Sequence, residues 1–456
     1  MYIQVHMQRI FLFFLIVVSN SAYAQQFSKK DEQFVDSVMK ANYKPGEPGA
    51  VLLIAQEGKP VYRKAFGLAS LEFNLPNKPE YVFRIASMSK QFLSVCFLKL
   101  AQEGKLNLQD NIKKYLPDYN SHGRDITIEN LLNHTNGIND FTSKKDFFKL
   151  AILNHSPQEI MTSFMNDSLS FEPGTDWGYS NSGYVVAGLI VEKVSGMSLS
   201  EYRRKYIFNP LKMTHTSVGT YDSLVVNAVY GYNGANGRFK PSEYMSWSVP
   251  YAAGDILSSV DDLLKWDNAL YTQEVLKKEW LEKAWKPFVL PNGQSTNNGL
   301  GWTSNNFNGL LFIESAGGIN GFSSDAIRIP SKQLYIVILS NGAPVWPPNI
   351  TSAIALHLVG QKHSKPMFKR LDKNALQDYS GVYAVNSSSY AKSHSSEKQL
   401  YHYFTVIDDT LFEQSPGNPK NALLLIDKDL FVPSESGTSH FQFHRDEKGQ
   451  VISVEL

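Results

Sequence analysis

Two groups of strand-like runs, separated by about 240 residues of mostly helical pattern, constrain the fold of this 456-residue chain more than any other feature. Gly49 to Ala55 and Pro60 to Phe66 are rich in β-forming residues and are broken by Gly58-Lys59, the pattern of a hairpin. Far downstream, Leu310 to Glu314, Ser323 to Ile329 and Leu334 to Leu339 are apolar or alternating, with Pro330-Ser331-Lys332 between the last two. The early hairpin and the late strands are therefore expected to share one antiparallel sheet, with the intervening helices packed against it in an α+β architecture.

The chain carries enough apolar surface for such a core: 43% of its residues are hydrophobic, only 19% are charged, and 27 Phe, 23 Tyr and 7 Trp are present. Wholesale disorder is excluded on this composition. Forty-four Lys and Arg against 43 Asp and Glu leave a formal charge of +1, which provides no global attraction to nucleic acid or to an anionic membrane. A small-molecule or peptide partner, bound locally, fits better.

Residues 1–24 hold one charge, Arg9, then the apolar run Ile10 to Val18, then Ala22-Tyr23-Ala24, and read as a secretory signal peptide cut before Gln25. The alternative is an uncleaved anchor, but that run is far short of the ~20 residues a bilayer requires. Export to the periplasm or the medium is thus expected, with no membrane span after cleavage. The single cysteine, Cys96, has no internal partner and lies in the apolar run Phe92 to Leu98, the setting of a buried inert thiol. Residues 25–360 are expected to form the main domain. The polar segment 361–372, ending the helical pattern Ile350 to Val359, reads as a linker. Residues 373–456 show short strand-like runs between turns, consistent with a small antiparallel barrel or sandwich.

The main domain has legible helix ends: Gly104 follows the run Ser87 to Glu103, and Ser259 with Asp262 resembles a capping box before Leu263 to Leu270. The chain lacks a G-x-S-x-G elbow, an H-E-x-x-H pair, a Walker loop and G-x-G-x-x-G. No metal or organic cofactor is implied, and the nearest histidine pair, His440 and His444, alternates with phenylalanines on a strand-like run.

Ser87-Met88-Ser89-Lys90 remains. Positions i and i+3 of a helix share a face, so the Ser87 hydroxyl and the Lys90 amine can point into one cleft. A lysine removes a proton from an alcohol only if burial or nearby positive charge keeps part of its amine neutral, and the run behind Lys90 is apolar nearly all round. Free N–H groups at the helix start add an oxyanion site. The same spacing recurs at Ser37/Lys40 and Ser395/Lys398, but only Ser87 has a buried-pattern helix behind it. A second cluster, Glu172 to Gly183, delivers Tyr179 and Asn181 just before the apolar run Tyr184 to Val194. Tyr179 could shuttle a proton and Asn181 could hold a substrate amide or the Lys90 amine; the plainer alternative is a packed tyrosine and a turn asparagine.

Together these segments resemble the serine β-lactamase and penicillin-binding-protein superfamily, with its S-x-x-K signature. The resemblance is closest to the class C branch of β-lactamases, D-Ala-D-Ala carboxypeptidases, D-amino-acid amidases and esterases. It extends through Phe83 to Ala86, Gly104 to Leu108, Leu131 to Gly137, Asn209-Pro210-Leu211, Ser258 to Leu263 and Ser340-Asn341-Gly342, over roughly residues 35 to 360. It implies the β-lactamase/transpeptidase-like fold, catalysis by Ser87, Lys90 and Tyr179, and an oxyanion hole from the Ser87 and Gly318 N–H groups. Asn181, Ser315, Gly317 and Gly318 would face the substrate, and His134 would be structural. Tyr379 to Tyr383 resembles the start of the lipocalin-like appendage of such hydrolases.

One departure stands out. Where the family carries Lys or His before a small residue and a Gly, this chain has Ser315-Ala316-Gly317. The cation that supports a substrate carboxylate is missing, which argues against β-lactams and peptides with a free carboxylate. The expectation is an exported serine hydrolase acting through an acyl-enzyme on a β-lactam, a D-amino-acid peptide or a small ester. Its rival is a catalytically weak protein that binds cell-wall peptide in the same cleft.

Overall fold

The computed structural model describes residues 27–235, 237–342, 345–361, 371, 373–384, 401–407, 410–414, 421–433 and 441–455. The expected signal peptide and nearly all of the expected linker lie outside the described residues, as do Ser395 and His440. Among those described, no helix is long and apolar enough to cross a membrane.

The first helix, α1 (Lys29–Asn42), opens on a reciprocal cap between Ser28 and Asp31 and is followed by the hairpin β1 (Ala50–Gln56) and β2 (Lys59–Phe66). After the helical insert, which begins with α2 (Ser89–Gln102), come β3 (Thr303–Phe307), β4 (Leu310–Ile319), β5 (Phe322–Ile329) and β6 (Leu334–Ser340). The six strands form one antiparallel sheet in the order β3-β4-β5-β6-β1-β2. The expected joining of early and late strands is thus realised in the pairing of β1 with β6, from Ala50 opposite Ser340 to Gln56 opposite Leu334.

Every residue of β5 and β6 is buried, because both faces of the sheet are covered. On one face Leu52, Ile54, Ile336 and Ile338 pack against α1 and α5 (Pro347–Leu358), which are tied by Phe34 stacked on His357. Alternate residues Val51, Leu53, Val337 and Leu339 face the helical insert, whose core includes α2, α3 (Asn181–Ser195) and α4 (Val260–Thr272). Asn341 fastens the sheet end: its Oδ1 accepts from Gly49 N at 2.9 Å, and its Nδ2 donates to the carbonyls of Leu68, Ala69 and Tyr230.

The anticipated capping box at α4 is only half formed. Ser259 accepts from Asp262 N at 3.3 Å, but the Asp262 carboxylate turns away to His215 N, Thr216 and Lys265. Asp261, the other helix-start acid, makes a bidentate pair with Arg63 across from β2.

Beyond residue 373, seven strands run in sequence order as an antiparallel meander: β7 (Gly381–Ala384), β8 (Tyr401–Ile407), β9 (Thr410–Gln414), β10 (Asn421–Asp427), β11 (Leu430–Pro433), β12 (Phe441–Arg445) and β13 (Val451–Glu455). They enclose their own aromatic core of Tyr379, Phe404, Phe431, Phe441 and Phe443. The small antiparallel β domain expected from the sequence is present, and β7 approaches β13, but among the described residues no hydrogen-bonded ladder joins them to close a barrel.

Candidate active site

The approach to Ser87 is built from short pieces held on several sides. Phe83–Arg84 pairs with Ile256–Ser258, Ile85 N donates to Ile256 O, and Ser324 of β5 donates to Ile85 O at 2.8 Å. Ala86 then takes φ +50°, a region that L side chains avoid and that persists only where the surroundings impose it. The turn Ala86–Met88 leads into α2, eleven of whose fourteen residues are buried. This places Ser87 at the opening of a helix sunk in the core, as its apolar pattern requires.

Lys90 lies one turn further on, is 3% exposed, and has its Nζ 3.1 Å from Ser87 Oγ. Its two other contacts are fixed acceptors, Asn181 Oδ1 at 2.8 Å and the Ala253 carbonyl at 2.9 Å. A neutral amine has two N–H bonds and one lone pair. In the ammonium form Nζ donates to Ser87 Oγ; in the neutral form, N–H bonds to Asn181 and Ala253 leave the lone pair for the Ser87 hydroxyl. Burial lowers the Lys90 pKa to about 7 against the opposing pull of Asp140 and Asp255, so a substantial part of the amine is neutral near pH 7.

Tyr179 completes the cluster with its hydroxyl 2.7 Å from Ser87 Oγ. The residue is 39% exposed, open to the cleft, yet burial of the phenol raises its pKa above the ordinary value, so the resting group is a neutral phenol. The loop that carries it is clamped by the segment Leu131 to Gly137: Gly178 N donates to His134 O, Gly174 N to Thr135 O, and Ser180 N to His134 Nδ1. That last bond makes Nδ1 an acceptor, and burial holds the His134 pKa at about 3, so the ring is neutral, packed 4.6 Å from the Tyr179 ring. Ser180 caps α3 by accepting from Gly183 N, which fixes Asn181 at the first helical position.

The sequence pairs Ser87 with Lys90 and Tyr179 with Asn181, and the fold brings all four side chains into one hydrogen-bonded chain. Gly317 and Gly318, at the end of β4, border the same cavity as Ser87. A Cβ on Gly317 would lie 2.3 Å from Ile85 O and 2.8 Å from Ser87 N, whereas one on Gly318 would meet only Trp346, at 3.6 Å. Ser315 is 8% exposed and lies instead in a recess of about 70 Å³ behind the Ser87–Tyr179 pair, beside Lys90 and His134. Of the competing S-x-x-K pairs, Ser37/Lys40 is on α1 with Lys40 bound to Asp36. Cys96 is fully buried, with its pKa pushed up to about 12 by burial.

Three participants were missed at the level of sequence. The Ala253 carbonyl comes from the short helix Tyr251–Gly254, and a main-chain acceptor has no residue signature. Asp140 accepts from Asn181 Nδ2 at 2.9 Å and so fixes which end of that amide faces Lys90. Arg203, fully buried, pairs with Asp255 at 2.7 Å directly after the Ala253 turn. Asp255, set between Ala252-Ala253-Gly254 and Ile256-Leu257, was the one available signal; Asp140 follows Asn139 in a polar stretch and offered none.

The main cavity, about 620 Å³, opens in front of Ser87. Aromatic and aliphatic side chains dominate it, with Asn181, Asn298, Thr303 and Asn320 as polar points. The family model described as "Beta-lactamase" matches residues 27–361.

The chain belongs to this beta-lactamase family.

Among curated members, penicillin-binding protein 4* of Bacillus subtilis is 29% identical over 378 residues, covering 77% of this chain and 82% of that protein. Protein flp of Staphylococcus aureus is 28% identical over 358 residues, covering 76% and 70%. The octameric penicillin-binding protein homologue from Pyrococcus abyssi superposes with a TM-score of 0.66 at 25% identity, over 92% of this chain and 96% of that one. A D-amino acid amidase from Ochrobactrum anthropi shares the fold, with a TM-score of 0.64 at 24% identity. Family membership supports serine-hydrolase or acyl-transferase chemistry for this chain.

Proposed function

We propose that the protein is an exported serine hydrolase that cleaves an amide or ester through an acyl-enzyme on Ser87. The observation that carries this reading is the buried Lys90 Nζ 3.1 Å from Ser87 Oγ, with the Asn181 Oδ1 and Ala253 carbonyl acceptors on its other sides. Lys90 takes the Ser87 proton as Oγ bonds to the substrate carbonyl carbon, and the carbonyl oxygen becomes an oxyanion held by the N–H groups of Ser87 and Gly318. Collapse expels the amine or alkoxide, which takes the Tyr179 proton, and the Lys90 ammonium returns a proton to Tyr179. Water then attacks the ester, giving its proton to the same chain, and Ser87 is released.

The kinship with a D-amino acid amidase and with penicillin-binding proteins supports a β-lactam, a D-amino-acid peptide or a small ester as substrate. Treatment with a fluorophosphonate followed by mass spectrometry should locate one covalent adduct on Ser87, and Ser87→Ala should abolish both labelling and turnover of activated esters. Retained turnover in Ser87→Ala would overturn the assignment.

Ser315 favours a second reading, a cell-wall peptide-binding protein of low activity. Equilibrium binding of a D-Ala-D-Ala peptide with no turnover of any ester or amide would support it.

A further inference from the structure

The main cavity contains no charged side chain among the described residues that line it. Its walls are Phe141, Phe147, Trp177, Met245, Ile319 and Trp346, with amide and hydroxyl groups at the polar points. Ionisable groups do line the adjoining recess: the Lys90 amine, held by Ser87, Asn181 and Ala253, and the Glu314 carboxyl, whose pKa burial raises. His134 is neutral there, its Nδ1 occupied by Ser180 N. Arg328, the buried cation two residues beyond the cross-strand neighbour of Ser315, pairs with Asp267 at 2.8 Å and is stacked against Tyr271 and Trp285.

A charged group entering the main cavity would lose its water and gain no counter-charge from the walls. An unpaired carboxylate or ammonium in an apolar enclosure is strongly disfavoured, whereas an alkyl or aryl group gains from the same walls. The space suits one mid-sized apolar substituent, since ligand cavities of a few hundred cubic ångströms bury most of such a group.

Resting on the acyl-enzyme reading above, we propose that the preferred substrates are esters or amides uncharged on both sides of the scissile bond. Their acyl or leaving group is an alkyl or aryl chain lying along Phe147, Trp177 and Trp346. Both a free carboxylate and a free ammonium on the chain that enters the main cavity are selected against, since its lining offers neither a cation nor a carboxylate to pair with them. The covalent step is the one already described: the Ser87 Oγ–carbonyl carbon bond forms, the bond to the alkoxide or amine breaks, and the proton passes through Lys90 and Tyr179.

The test compares p-nitrophenyl pentanoate with the p-nitrophenyl monoester of glutaric acid, which has the same chain length but ends in a carboxylate, and with p-nitrophenyl 5-aminopentanoate. The full chain should show kcat/KM for the pentanoate on the order of 100-fold above either charged ester, the penalty expected for an unpaired charge. Met245→Lys, which places a flexible cation on the wall, should narrow the gap for the glutarate and widen it for the aminopentanoate. Equal or greater turnover of the glutarate by the wild type would overturn the proposal, as would a Met245→Lys variant that labels normally yet leaves both ratios unchanged. Fluorophosphonate labelling separates the two levels. A labelled Ser87 with no pentanoate turnover sinks the substrate class alone; an unlabelled Ser87 sinks the acyl-enzyme reading and this proposal with it.

Discussion

Asn181 Oδ1 lies 2.8 Å from Lys90 Nζ, and the other end of the same amide donates to Asp140 at 2.9 Å. The asparagine thus relays the position of a buried carboxylate to the amine without placing a negative charge against it. Asn181→Asp would put that charge in contact with Lys90, and an opposite charge at this range favours the ammonium by one unit or more. The acid limb of the kcat/KM profile, expected near the Lys90 pKa of about 7, should move upward by about one pH unit or more. A pH–rate profile with an unmoved limb would separate Lys90 from the role of base.

Burial of Lys90 also has a signature in stability. The folded chain binds its proton with a pKa of about 7, while the unfolded chain does so near 10.5. Between these values the unfolded state holds more protons, so this group makes stability rise with pH across that window, by at most ~1.4 kcal/mol per unit. Relative to Lys90→Met, the wild type should gain stability between about pH 7 and 9.5. Urea unfolding of both proteins at the two ends of the range measures it, and parallel pH dependences would contradict the burial of a titrating amine.

Gly317 and Gly318 are adjacent but not equivalent. Gly317→Ala forces a methyl group against Ile85 O and Ser87 N, so β4 or the nucleophile turn must shift. A shift of a few tenths of an ångström or more at these N–H groups should lower kcat by about 10²-fold, the usual effect of losing an oxyanion donor. Gly318→Ala meets only ordinary contact with Trp346 and should stay within a few-fold of wild type. Comparing the two variants on one activated ester gives the answer; equal losses would place the constraint elsewhere.

The Arg203–Asp255 pair is buried on both sides and follows directly on the turn that offers the Ala253 carbonyl. Removing one partner leaves an uncompensated charge in the core, so Arg203→Met should destabilise the fold by about 3–5 kcal/mol. Asp255→Asn in the Arg203→Met background should recover part of that loss by removing the stranded carboxylate. Thermal unfolding of the single and double variants tests this, and additive losses would show that the pair is not a unit.

The parts of this architecture visible in the sequence are those that depend on side-chain pattern. β1, β5 and β6 announce themselves as apolar runs because both sides of the sheet are covered there, β2 shows as the β-rich run after Gly58-Lys59, and the SxxK spacing on a buried-pattern helix places Ser87 beside Lys90. The third acceptor around Lys90 was not visible, since a carbonyl 163 residues away is supplied by the path of the main chain. β9 and β11 were also missed: these runs of five and four residues carry too little alternation to stand out beside their turns. The recess around Ser315 and the uncharged cavity depend on where side chains end in space, which no linear spacing encodes.

The pairing of Ala50 with Ser340 has a bearing on how the molecule comes into being. At ribosomal speeds of about 5–20 residues per second, the first hairpin emerges roughly 15–60 s before the strand that must lie beside it. Until then the hairpin has an unmatched edge, and the glycine that abuts the Ser87 turn has not yet been made. The reactive alcohol therefore acquires its surroundings only after about 70% of the chain has been made, and a nascent fragment stalled before residue 317 would leave the ribosome chemically inert.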